Sequence, residues 1–134
     1  MKPIQFDIGD FEPEKYMQAL VALAHIDGLH PDEELFIRQQ AAAFGVDAEP
    51  YFTQPPADFA QIGQSTTPTT RRLIYRDCFM LAEADGQVSD AERGLLERLR
   101  TELALENDQA QALESWAQRY TQILREGEAL LAGR

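Results

Sequence analysis

The sequence predicts an all-α chain: a pseudo-two-fold bundle of two related helical hairpins joined by short connecting helices. Three observations carry that expectation. Apolar residues recur at helical spacing through most of the 134 residues, and no alternating strand pattern competes with them. Prolines and capping residues stand where helices would begin, and glycines where they would end. One phrase is written twice, as Leu23-Ala24-His25-Ile26-Asp27-Gly28 leading to Asp32 and Glu34, and as Leu81-Ala82-Glu83-Ala84-Asp85-Gly86 leading to Asp90 and Glu92. Its shift of 58 residues is longer than common solenoid periods and occurs in only two copies. It therefore indicates a duplicated unit, approximately 13–45 and 68–104, within one domain spanning 1–134.

Pro13 between Glu12 and Glu14 suits a first helical turn, and Met17, Leu20, Val21 and Ala24 mark one face of a helix that ends at Asp27-Gly28. Pro31, followed by Asp32, Glu33 and Glu34 at the positive end of the helix dipole, starts a second helix with Ile37, Ala41 and Phe44 inward and Gly45 as its stop. The proline-containing stretch from Val46 to Thr67 reads as turns around short helices near 48–52 and 57–63. Thr67 and Pro68 then cap and open a third long helix with Ile74, Cys78, Leu81 and Ala82 on one face. Ser89-Asp90-Ala91-Glu92 is a capping box ahead of Leu95, Leu96, Leu99 and Leu103. Asn107 or Asp108 caps a last helix carrying Leu113, Trp116, Ala117, Tyr120, Ile123 and Leu124, ending near Gly127 or Leu131.

The formal charge of −11 makes nucleic acid and anionic membrane surfaces poor partners and favours cations or basic proteins. Residues 1–67 hold 3 basic against 11 acidic side chains, so the first half carries most of the acidity. A lone cysteine, Cys78, forms no disulfide within the chain. It overlays a leucine of the other copy, Leu20, which assigns it to the core and points to a reducing cytoplasm. The N-terminal residues lack the apolar run of a secretory signal, and no segment has the length and apolarity of a membrane span.

Asp27, Asp32 and Glu34, with Asp85, Asp90 and Glu92, gather at the two expected helix-to-helix junctions. Six carboxylates there could hold a hard cation such as calcium or magnesium weakly. The competing reading is that glycine supplies a left-handed turn and the acids complement the next helix dipole. Aligned on the EF-hand loop, the second copy places Asp85 at position 5, Gly86 at 6 and Glu92 at 12, yet Leu23 and Leu81 stand where the first ligand should be, so a standard EF-hand is not expected. His25 and His30 straddle the first junction without counterparts in the second, and read as helix-end residues rather than zinc ligands. Arg71, Arg72 and Arg76 read as a solvated basic face pairing with the acidic half rather than as an anion site. No phosphate loop, nucleophile elbow or zinc helix occurs, so the sequence offers no residue set for an enzyme and no catalytic residue.

Leu-Ala-x-x-Asp-Gly-x-x-x-x-x-Glu followed by an apolar helix resembles the hallmark of the TerB-like family, all-helical bacterial domains associated with tellurite resistance and found also at the front of some DnaJ-type co-chaperones. The resemblance falls on Ala24, Asp27, Gly28 and Glu34 and on Ala82, Asp85, Gly86 and Glu92, with the helical pattern extending it over most of residues 12–126. It implies a pseudo-symmetric bundle, an acidic surface suspected of binding divalent cations, and no enzymatic activity. The resulting expectation is a non-enzymatic cytoplasmic module for stress response, in which weak cation binding couples to a protein partner. A co-chaperone-like interaction domain without ligand, its acids serving only as helix caps, is the alternative.

Overall fold

Three of the long helices open on a proline at the first position, where the missing N–H is one of the donors a helix start leaves unpaired anyway. The computed structural model describes residues 9–25, 28–55, 58–83 and 88–134. Among them the chain runs through α1 (Pro13–Ala24), α2 (Pro31–Ala43), α3 (Glu49–Thr53), α4 (Phe59–Gln64), α5 (Pro68–Ala82), α6 (Asp90–Glu102) and α7 (Asn107–Leu131), with no strand among the described residues. The all-α expectation holds, and the two short helices lie within two residues of the ranges read from sequence.

α1 and α5 form the centre. α1 is apolar nearly all round, burying Tyr16, Met17, Leu20, Val21 and Leu23, which is the pattern of a helix surrounded by others. It packs along α5, which is covered in turn by α7; α2 and α6 flank this pair, and α3 and α4 close the remaining sides against α1 and α6. Phe11, Tyr16 and Phe44 meet as an aromatic cluster with centroids 4.5 to 5.3 Å apart, joining the α1 start to the α2 end. Cys78 is fully buried, as its overlay on Leu20 implies, and burial pushes its thiol pKa well up, with the nearby Asp77 charge adding to the effect.

The starts of α1 and α5 are tied to each other. Glu12 Oε1 accepts the Thr67 N–H at 2.7 Å, and the Glu12 N–H donates to Thr70 Oγ1 at 3.0 Å, so each chain entry satisfies a donor of the other. α4 lies so close to the end of α6 that a Cβ at Gly63 would collide with the Glu102 carbonyl.

α2 and α6 share their local design, each 13 residues long. At the start of α6, Ser89 Oγ accepts the Glu92 N–H at 3.0 Å while Glu92 Oε1 accepts the Ser89 N–H at 3.1 Å. At the start of α2, Glu33 Oε1 accepts the His30 N–H at 3.1 Å, and His30 Nδ1 accepts the Asp32 N–H at 3.1 Å. Both helices end in a left-handed residue, Gly45 at φ 71° and Ala104 at φ 54°, followed by a bond from the next N–H back into the last turn, Val46 to Ala41 at 2.8 Å and Leu105 to Arg100 at 3.1 Å. These counterparts, from His30 and Ser89 onward, lie 59 residues apart, one more than the 58 of the Asp-Gly phrase. The second junction therefore contains one extra residue, and the structural counterpart of Glu92 is Glu33 rather than Glu34.

Candidate functional site

Four of the six acids at the junctions are described; Asp27 and Asp85 lie outside the described residues. Asp32 and Asp90 are exposed in the first turns of α2 and α6, near the positive ends of their dipoles. Asp32 Oδ2 stands 3.8 Å from His30 Nδ1. Glu34 turns along its own helix to Arg38, accepting two hydrogen bonds at 3.1 and 2.9 Å, and Arg38 reaches on to Glu49 in α3. Glu92 is 6% exposed and committed to the capping box. Glu34 and Glu92 thus face different tasks, one holding an arginine and the other a helix start. Among the described residues no three His, Cys, Asp or Glu side chains gather in metal-binding geometry. His30 serves as a cap through Nδ1, and His25 is exposed just after α1.

A denser constellation lies where the sequence reading assigned no function. Asp77, in the middle of α5, is 0% exposed. Its Oδ2 accepts the Tyr16 hydroxyl at 2.5 Å and Gln40 Nε2 at 3.4 Å, and its Oδ1 accepts Arg76 Nε at 2.7 Å, so α1, α2 and α5 meet on one carboxylate. Burial is the main reason the Tyr16 phenol pKa is pushed far above its ordinary value, and the Asp77 charge reinforces it. Burial acts to lower the Arg76 pKa, but the hydrogen bond and charge of Asp77 outweigh it and the net direction is upward. Arg76, expected on a solvated face pairing with the acidic half, instead holds its own neighbour Asp77 and lies over the Trp116 ring, 4.9 Å from the centroid. Trp116 in turn stacks on Tyr120, centroids 5.2 Å apart and rings 10° from parallel. A continuous path of contacts thus runs from the buried core to the face of α7.

That face is open. The sequence places Trp116, Tyr120, Ile123 and Leu124 on the apolar side of the last helix, and the structure leaves them 39%, 42%, 65% and 50% exposed, with Leu130 and Leu131 beyond. Ala110 and Ala117 are the buried residues of α7. Leu124 and Leu131 continue at seven-residue steps the row that those two alanines begin. The stripe that seals the core in the first half of α7 therefore carries on exposed in the second, at Leu124 and Leu131.

The sequence contains a signal for the buried aspartate: Asp77 falls three residues after Ile74 and four before Leu81, inside the apolar stripe of α5, where a charge must be paired. Buried groups show no chemical vacancy, since every buried side-chain nitrogen and oxygen among the described residues has a partner. Glu83, at the end of α5 beside Gln118 and Arg125 of α7, has its carboxyl pKa raised, burial being the main cause and the Gln118 hydrogen bond opposing it. Comparison with protein-family models, with characterised proteins and with solved structures finds no match to this chain.

Proposed function

We propose that this chain is a non-enzymatic helical interaction module, similar in its pseudo-two-fold plan to TerB-like domains, that works in the cytoplasm by presenting the open face of α7 to a protein partner. The carrying observation is the row Ala110, Ala117, Leu124 and Leu131, buried in its first half and exposed in its second. Scattered apolar residues on a surface need no explanation, but a continuous helical stripe rimmed by charge marks a contact surface. On this reading the junction acids are structural: Glu33 and Glu92 hold helix starts and Glu34 holds Arg38. The link to tellurite stress comes only with the family resemblance.

The test separates a binding face from a core face. Replacing Ile123 and Leu124 together by lysine should leave unfolding at high dilution within about 0.5 kcal/mol of the wild type, as for ordinary surface positions, and should remove binding of a hydrophobic dye. A loss of about 2 kcal/mol or more would show that these side chains support the fold and would sink the reading.

A second reading keeps a weakly held divalent cation at the junctions, favoured by the recurrence of Asp-Gly and by the exposed Asp32 and Asp90 in equivalent first turns. It requires calcium or magnesium at millimolar level to raise the melting temperature. Asp85→Asn combined with Asp90→Asn should then abolish the rise; an unchanged melting temperature in the wild type dismisses the ion.

A further inference from the structure

We propose that the occupant of the α7 face is the α7 of a second copy of this chain, laid antiparallel across it, an inference that rests on the interaction reading above. Leu113, Trp116, Tyr120, Ile123, Gly127 and Leu130 alternate by three and four residues, the spacing of a coiled-coil seam, with Ala117, Leu124 and Leu131 widening it on one side. Two such seams running in opposite directions can be aligned so that Tyr120 faces Ile123 of the partner and Trp116 faces Gly127. That register is closed by a two-fold axis, so each contact occurs twice.

Two features select it. Gly127 lies in the interior of α7, where glycine costs about 0.5–1 kcal/mol relative to alanine, and no atom beyond its chain neighbours and its own helical turn comes within 4 Å of where a Cβ would be. In the antiparallel pair the missing side chain leaves a hole for the largest knob on the seam, Trp116. The same register sets Arg119 across from Glu126 twice along one flank of the seam, the flank away from Ala117 and Leu124, with opposite charges at the positions that choose partner and orientation. Both residues are exposed, Arg119 bonding only within its helix to the Ser115 carbonyl and Glu126 accepting from Gln122.

Net charge agrees. Residues 115–134 carry three arginines against two glutamates in a chain whose formal charge is −11. The tail is thus a long surface on which two copies can meet without bringing their acidic bodies together, and antiparallel pairing sends those bodies to opposite ends. Area is adequate as well: at roughly 200 Å² per large apolar side chain, the exposed fractions of Trp116, Tyr120, Ile123, Leu124, Leu130 and Leu131 offer up to about 700 Å² per copy. Twice that exceeds the approximately 1,000 Å² a specific interface needs and falls within the standard range.

Sedimentation of the full chain across micromolar to submillimolar concentration tests the proposal, with a charge swap to read the register. A reversible monomer–dimer equilibrium is expected. Arg119→Glu alone and Glu126→Arg alone should each weaken it about tenfold, because each places like charges opposite one another twice. The double variant Arg119→Glu with Glu126→Arg should return it to within about threefold of the wild type. Unfolding of all three variants at high dilution checks that the monomer is intact. A chain that stays monomeric overturns the dimer while leaving the interaction reading to its own test, and a dimer indifferent to single reversals, or not restored by the double one, overturns the register and with it the proposal.

Discussion

The Tyr16 hydroxyl of α1 donates a 2.5 Å hydrogen bond to Oδ2 of Asp77 in α5, and both side chains are 0% exposed. This is a buried polar clamp between the two central helices, separate from the Glu12 bonds that tie their starts. Replacing Tyr16 by phenylalanine keeps the ring in its aromatic cluster with Phe11 and Phe44 but takes the strongest donor from Oδ2. Urea unfolding should show a loss of about 1–3 kcal/mol, the cost of leaving a buried acceptor short. Asp77→Ala should cost about 3–5 kcal/mol, since it strands the Arg76 guanidinium as well. A Tyr16→Phe variant as stable as the wild type would show that Arg76 and Gln40 suffice.

Ala104 holds the left-handed conformation that Gly45 occupies at the equivalent end of α2. A Cβ is penalised there, so Ala104→Gly should stabilise the chain by about 0.5–1 kcal/mol, and Gly45→Ala should destabilise it by a comparable or larger amount. Thermal unfolding of the two single variants, which differ in sign, checks both.

His30 Nδ1 accepts the Asp32 N–H, the role that serine, threonine, aspartate or asparagine fills at most helix starts. His30→Ala should cost about 1 kcal/mol, and His30→Asn should recover most of it. Equal losses in the two variants would mean that the imidazole acts through packing rather than as an acceptor.

The Glu12 carboxyl has its pKa lowered from the ordinary 4.5, first by the hydrogen bond from Lys15 and then by the Thr67 N–H. A depressed folded value contributes stability that is present above the unfolded pKa and disappears as pH falls through the folded one. Wild type and Glu12→Gln should therefore differ in melting temperature at neutral pH and converge in acid below 4.5. The solvent-facing side of this pair limits the size of the effect, and a difference that persists unchanged at the acid end would assign Glu12 a role other than its charge.

Helix starts were legible because their signals are local: Pro13, Pro31 and Pro68 preset φ, Thr67 and Ser89 are capping side chains, and the serine with Glu92 announces a box. Helix ends at Gly45 followed from the same kind of evidence, whereas Ala104 carries no sequence mark of its left-handed turn. The junction acids misled in one respect. Their recurrence at 58 residues pairs Glu34 with Glu92, yet the extra residue in the second linker shifts the caps to 59 and gives Glu33 the equivalent role. The His30 cap stayed hidden because imidazole is outside the usual capping set. The Asp77 clamp depends on three helices converging, and no spacing along the chain states which helices meet. The exposure of α7 is hidden for the opposite reason: amphipathic periodicity shows that a face is apolar, never whether something covers it.

Ala117 is the last fully buried residue of α7, and 14 further helical residues, to Leu131, follow it. A helical segment of that length is marginal in water when it buries little of its surface, so opening free energy must fall from one end of α7 to the other. Amide hydrogen exchange would record this as a gradient, slow near Ala110 and fast near Leu131. Any molecule that settles on the helix flattens the gradient from the far end inward, which makes the backbone of α7 a residue-by-residue gauge of its own occupancy.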